Sequence, residues 1–270
     1  MVVVKPASRS VAPPLSLADV IRNPGALRTV FQPIVRCRDG SWSLHALECL
    51  TRGPNGSPYA EAAVLFAATR ACHLEAMMDR ACVTTALETA AHCGIKSPLF
   101  VNVSPVTLMS DRSFPDFLAT TAAGNGVDWR RVTVEVVEQE RDCDAKALMP
   151  ALRSLRELGV HVALDDFGAT KTDAQPLESC QCRPDVVKLD GRLFREAHHK
   201  ASTRQRLTTV LEQVRQTGLE VVAEGVESDC DLQLAAHFGI ELVQGFHVCR
   251  PLAGEFAARA ESQFGLAASA

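Results

Sequence analysis

Eight short β-rich runs, separated for the most part by longer helical stretches, set the strongest constraint on what this chain folds into. In order they are 30–35, 44–50, 99–103, 132–137, 160–165, 185–190, 219–224 and 240–244. Leu148, Leu152, Leu155 and Leu158 recur at helical spacing over 145–158, and a second helix is expected over 202–217. Eight strands with crossover helices in ~250 residues is the size and rhythm of a (β/α)8 barrel.

One connection breaks that rhythm. Runs one and two are joined only by 36–43, whereas a parallel crossover takes about a dozen residues or more. Asp39-Gly40 in that gap is a hairpin signal. The expected fold is therefore α/β, a modified TIM-type (β/α)8 barrel with the first strand antiparallel, forming one domain over about 25–255. Residues 1–24 are expected as a leader or linker, since the first 16 hold three prolines and little periodicity. Residues 256–270 are expected to be the end of a C-terminal helix and a tail.

An apolar strand that ends in an acid or amide puts that group at the barrel mouth, where barrel enzymes keep their chemistry. Here that ending recurs in seven runs: Glu48 in HALECL, Asn102 in LFVNVS, Glu135 in VTVEVV, Asp165 and Asp166 in VALDDFG, Lys188 and Asp190 in VVKLD, Glu224 in VVAEG, and Gln244 in LVQG. Any one of them alone reads as a solvated rim residue or a helix cap. Six carboxylates and two amides, with no Cys or His among them, select Mg2+ or Mn2+ over zinc or copper. So many carboxylates in one cavity repel each other unless cations neutralise them. Adjacent Asp165 and Asp166 suit two metals sharing a carboxylate, the arrangement of two-metal phosphate-ester hydrolysis. Lys188 among these acids can hold or deprotonate an attacking water, or form an ion pair with Asp190 or Asp166.

Composition removes the other broad classes. With 47% hydrophobic and 22% charged residues, 270 residues make a core that needs no staples. The ten cysteines are dispersed through helices and strands, and Cys180-Gln181-Cys182 is not a zinc or redox pair, so reduced thiols and no zinc site are expected. A net charge of −4 gives no reason to coat a nucleic acid polymer. No apolar run approaches the ~18 residues of a membrane span, and Met1-Val2-Val3-Val4-Lys5 lacks a signal-peptide pattern, so a cytoplasmic protein without membrane insertion is expected.

At these residues the chain resembles the EAL-domain family of cyclic-di-GMP phosphodiesterases. FQPIV, ECLTRG, VNVSP, VEVVE, ALDDFG, DVVKLD, VVAEGVES and VQGF stand in the family's order from Val30 to Pro251. The resemblance implies that Glu48, Asn102, Glu135 and Asp165 bind a first ion, and that Asp165 bridges to a second held with Asp166 and Glu224. It implies that Lys188 positions the attacking water and that Gln244 orients the site. Arg52 is similar to the family's phosphate-contacting arginine and Gln32 to a residue near a guanine, Asp190 is expected on the substrate side, and Glu138 is expected to steady a loop. The reaction implied is hydrolysis of cyclic-di-GMP to linear pGpG by in-line attack on phosphorus, in a homodimer, with biofilm or motility as the process served.

The chain departs from the family pattern in three places. Cys49 replaces the usual alanine and Val137 a common threonine, while 169–174 reads ATKTDA where the family has a Gly-Tyr-Ser-Ser type loop. Loss of glycine at Thr170 restricts the backbone. That loop supports an alternative, a cyclic-di-GMP receptor or interaction module with weak or no turnover. A third class, the enolase-type lyases, also uses strand-end carboxylates, Mg2+ and a lysine. Such enzymes carry a sizeable capping domain, which the residues before Val30 are too few to build. No GGDEF-type cyclase motif is seen, so regulation is expected through a partner protein, oligomerisation or expression.

Overall fold

The structure, a computed structural model, describes residues 15–137, 145–167 and 184–264. Its strands are β1 (Arg28–Arg38), β2 (Ser41–Arg52), β3 (Leu99–Val103), β4 (Val132–Val137), β5 (His161–Phe167), β6 (Val186–Leu189), β7 (Glu220–Ala223), β8 (Leu242–Val243) and β9 (Leu252–Ala253). The helices described are α1 (Leu17–Arg22), α2 (Ala62–Ala71), α3 (Glu75–His92), α4 (Pro105–Ser110), α5 (Phe114–Gly124), α6 (Ala145–Glu157), α7 (Gly191–His199), α8 (Ala201–Thr217), α9 (Asp229–His237) and α10 (Gly254–Phe264).

Strands β2 to β8 run parallel in sequence order, and β1 closes the barrel between β8 and β2, antiparallel to both. The expected barrel with an antiparallel first strand is thus the observed one. The hairpin turns on Asp39 and Gly40 at φ +51° and +76°, the two left-handed positions of a type I′ turn. The short β9, not expected from the sequence, lies beside the first half of β1. Residues 17–24, expected within the leader, are built into the fold. Ser16 and Asp19 form a capping box on α1, and Leu17, Val20 and Ile21 pack with Leu65, Met78 and Cys82 of α2 and α3.

The interior explains how the strands aim the site. Ile34, Ala46, Phe100, Ala163, Val186, Val222 and Leu242 form one buried cluster, a plug drawn from seven strands. Side chains on a strand alternate, so the residue two positions away faces the same side. Two positions towards the mouth from these plug residues stand Gln32, Glu48, Asn102, Asp165, Lys188, Glu224 and Gln244. Buried Thr133 and Glu135 supply the same pair on β4. In β1, which runs the other way, the mouth residue precedes its plug residue, and the hairpin register pairs Gln32 with Glu48 and Ile34 with Ala46.

The opposite end of the barrel is tied by charge. The Arg36 guanidinium donates to Glu220 at 2.7 Å and Glu241 at 3.1 Å, joining β1 to β7 and to the approach to β8. It also lies 3.3 Å from His45 Nδ1. Arginine only donates, so that nitrogen is the acceptor and carries no proton. Burial, followed by Arg36, keeps the His45 pKa lowered against the pull of Glu220.

Candidate active site and metal centre

Lys188 is fully buried at the centre of the inward ring. Its Nζ lies 2.7 Å from Glu224 Oε1, 2.8 Å from Glu135 Oε1, 3.2 Å from Glu48 Oε2 and 3.5 Å from Asp165 Oδ1. An ammonium has three protons, so four carboxylates cannot all be served. Glu48 takes two further hydrogen bonds, from Asn102 Nδ2 at 3.0 Å and Gln244 Nε2 at 2.6 Å. Separate strands and strand ends therefore converge on Glu48 and Lys188.

Burial and charge divide the acids. Burial pushes Glu48 up, but Lys188 and the hydrogen bonds from Asn102 and Gln244 outweigh it and leave its pKa lowered. Glu135 has the Lys188 ammonium but, among the described residues, no amide donor, and burial together with the Glu48 charge drives it well above the usual range. Burial, with Asp165 and Glu48 nearby, raises Glu224 to about 8. Lys188 is disfavoured by burial, yet Glu135, Glu224, Glu48 and Asp165 hold its pKa well above normal. It is a charged donor.

Asp165 and Asp166 reach the mouth by a bulge. Leu164 pairs with Val187 and Phe167 with Leu189, three steps on β5 against two on β6. Asp166 sits at φ +54°, a left-handed conformation that asparagine and aspartate tolerate better than other side chains. Regular alternation would send consecutive side chains to opposite faces. Instead, single oxygens of Asp165, Asp166 and Glu224 lie within 4.8 Å of one another.

The donor set fits hard divalent cations. Glu135 Oε2, Asp165 Oδ1 and Gln244 Oε1 are buried and receive no hydrogen bond among the described residues. Buried polar oxygens left without donors are costly, and a cation satisfies several at once. Asp165, Asp166 and Glu224 are the carboxylates placed to hold an ion, and Glu48, Asn102, Glu135 and Asp165 are the set that the family resemblance implies for a second.

The remaining expected residues fall in different places. Arg52 lines a cavity of about 530 Å3 that also touches Glu48 and Asn102, and its guanidinium donates to Thr51 O at 3.0 Å. Gln32 is buried, donates to Cys249 O at 3.2 Å, and borders a smaller cavity of about 160 Å3 with Glu48, Glu224, Gln244 and Phe246. Asp190 is occupied as a helix cap: it accepts from Arg192 N at 2.6 Å and pairs with the Arg192 guanidinium at 3.0 Å. Glu138 and the 169–174 loop lie outside the described residues. Cys49 is buried on the wall of the larger cavity, and burial pushes its thiol well up.

Sequence reasoning assigned no role to Asp79 or Phe246. Buried Asp79 accepts from Ser104 N at 2.8 Å and Thr107 Oγ1 at 2.5 Å, which holds α4 directly behind Asn102. Its signal is an acid on the apolar face of a helix. Phe246, half exposed beside Gln244, carries the Arg250 guanidinium 4.4 Å from its ring centroid.

The chain is similar in sequence and in fold to known proteins. Protein Rv1354c of Mycobacterium tuberculosis is 31% identical over 180 residues, 66% of this chain and 28% of the relative. The cyclic di-GMP phosphodiesterase PdeF of Escherichia coli is 26% identical over 151 residues, 56% of this chain and 20% of the relative. The chain thus spans less than a third of these curated relatives. Among solved structures, the manganese/cyclic-di-GMP complex of Klebsiella pneumoniae BlrP1 superposes with a TM-score of 0.76 at 27% identity, covering 85% of this chain and 57% of that one. The model of the EAL domain matches residues 16–251, a span that takes in every residue of the inward ring, and the chain belongs to that family.

Proposed function

We propose that this chain is a phosphodiesterase, dependent on Mg2+ or Mn2+, that hydrolyses one phosphodiester of cyclic-di-GMP to give linear pGpG. The observation that carries the reading is the inward ring, where Glu48, Glu135, Asp165 and Glu224 surround a single ammonium and further buried oxygens lack donors. Two ions per site are the number the donor set suits. When bound, such ions supply Lewis acidity towards phosphate oxygens and lower the pKa of water.

The chain's own groups do the rest. Lys188, charged and immobilised by four carboxylates, orients the acids and donates towards the reacting oxygens; it is not a base at neutral pH. Asn102 and Gln244 keep Glu48 ionised and turned into the mouth. Arg52 lies on the wall of the large cavity, suited to a phosphate oxygen, and the Gln32 amide borders the smaller one, suited to a base. Without cations the mouth is acidic, so binding of the anionic substrate itself depends on metal. A homodimer belongs to the same reading and rests on the family resemblance, and a regulatory protein partner and a cytoplasmic setting are proposed with it.

The receptor reading rests on the 169–174 sequence. One assay separates the two: purified protein with Mg2+ or Mn2+ and cyclic-di-GMP, followed by nucleotide chromatography. Appearance of pGpG, lost in Glu48→Ala and Lys188→Ala, is expected. Tight binding without turnover favours the receptor, and absence of both sinks the family-based reading.

A further inference from the structure

Glu224 stands one residue beyond the end of β7, so the sheet barely holds it. Its N–H reaches Leu189 O only at 3.4 Å. The segment after Glu224 is held from two sides. On one side Val226 N donates to Gln244 O at 3.0 Å and His247 N donates to Val226 O at 3.0 Å. On the other side lies helix α7, which begins three residues after Lys188.

Three residues of α7 touch this segment in turn. Gly191 meets it first: a Cβ there would come within 3.1 Å of Glu224 O and Gly225 Cα, tighter than side chains ordinarily pack, so the glycine eases the approach of the two backbones. One turn on, Arg195 Nη1 donates to Gly225 O at 3.4 Å and lies 3.7 Å from Glu227. One turn further, His198 Nε2 lies 2.9 Å from Asp231 Oδ1. Positions i, i+4 and i+7 share one face of a helix, so the contacts form a single stripe along the segment that carries Glu224.

Asp231 is the anchor of this stripe. It is buried, accepts from Glu227 N at 3.0 Å and Ser228 Oγ at 2.8 Å, and is held ionised by those bonds and by His198 against the effect of burial. An ionised carboxylate only accepts, so the His198 Nε2 is the donor. The bond joins the segment after Lys188 to the segment after Glu224.

We propose that His198, through Asp231, is a positioning residue for Glu224, and that the Gly191–Arg195–His198 stripe of α7 sets how Glu224 is presented to a divalent cation. The proposal rests on Glu224 being a metal ligand. Loss of a partner that orients a ligand typically weakens a metal site by roughly 10–100-fold. The probe is Mn2+ alone, titrated into the full chain and followed by the electron paramagnetic resonance of the free ion.

His198→Ala is expected to weaken Mn2+ binding about 10-fold. His198→Gln, whose amide can donate to Asp231, is expected to bind close to wild type, and Lys200→Ala, on an exposed pair with Glu196, to be unchanged. Wild-type affinity in His198→Ala, or equal losses in His198→Ala and His198→Gln, overturns the proposal. Should His198→Ala not fold, Arg195→Ala decides, since it removes one contact from an exposed side chain: weaker binding supports the stripe and unchanged affinity overturns it. Glu224→Gln is the reference: if it binds as wild type does, the ligand assignment has failed, a result distinct from failure of the stripe.

Discussion

Lys188 Nζ and Glu224 Oε1 lie 2.7 Å apart at the ends of adjacent parallel strands, and three more carboxylates share the same ammonium. Removing one partner of a buried charge cluster leaves the others uncompensated. Lys188→Ala should therefore destabilise the metal-free protein by about 3–5 kcal/mol. Divalent cations should raise its melting temperature by more than they raise that of wild type. Melts with and without Mn2+ test this, and equal shifts would show that the ammonium and the cation do not serve the same carboxylates.

Metal loading should release protons. Glu224, raised to about 8 by burial, carries a proton at neutral pH and must lose it to bind a cation. Apparent Mn2+ affinity should therefore rise with pH through about 8. Calorimetric titration in two buffers of different ionisation enthalpy gives the proton count, and no proton release at neutral pH would contradict the assigned role.

Asp166 combines a left-handed backbone with a ligand oxygen. Asp166→Gly should keep or raise thermal stability, whereas Asp166→Ala should be less stable than Asp166→Gly by about 1 kcal/mol. Both should lower the number of Mn2+ ions bound. Full Mn2+ stoichiometry in either variant would remove Asp166 from the donor set.

The barrel floor makes stability sensitive to mild acid. His45 is neutral when folded, its pKa lowered from the ordinary 6.5. Above that value neither state binds the proton. As pH falls below it, the unfolded chain takes a proton that the folded ring refuses, so stability drops as the pH is lowered through and below 6.5. His45→Gln should flatten that part of the urea-unfolding profile, and an unchanged slope would assign the loss to other groups.

Much of this was legible in the chain. The eight strands, the Asp39–Gly40 hairpin and the polar strand ends come from alternation and turn chemistry, which act over a few residues. The hidden features depend on what meets from far apart. Asp190 looks like a strand-end ligand but caps α7, because a carboxylate just before a helix is claimed by that helix's own N–H groups. Residues 17–24 look like linker, yet Leu17, Val20 and Ile21 pack against α2 and α3.

The chain alone determined a barrel with one reversed strand and an inward ring of acids and amides, since a period of two carries each plug residue to its mouth residue whatever packs outside. Only the tertiary structure decided how those groups divide. Closure brings Lys188 within reach of four carboxylates, a bulge turns Asp165 and Asp166 the same way, and α7 meets the segment after Glu224. Charge sharing and burial depend on distances between separate strands, and no local pattern encodes those.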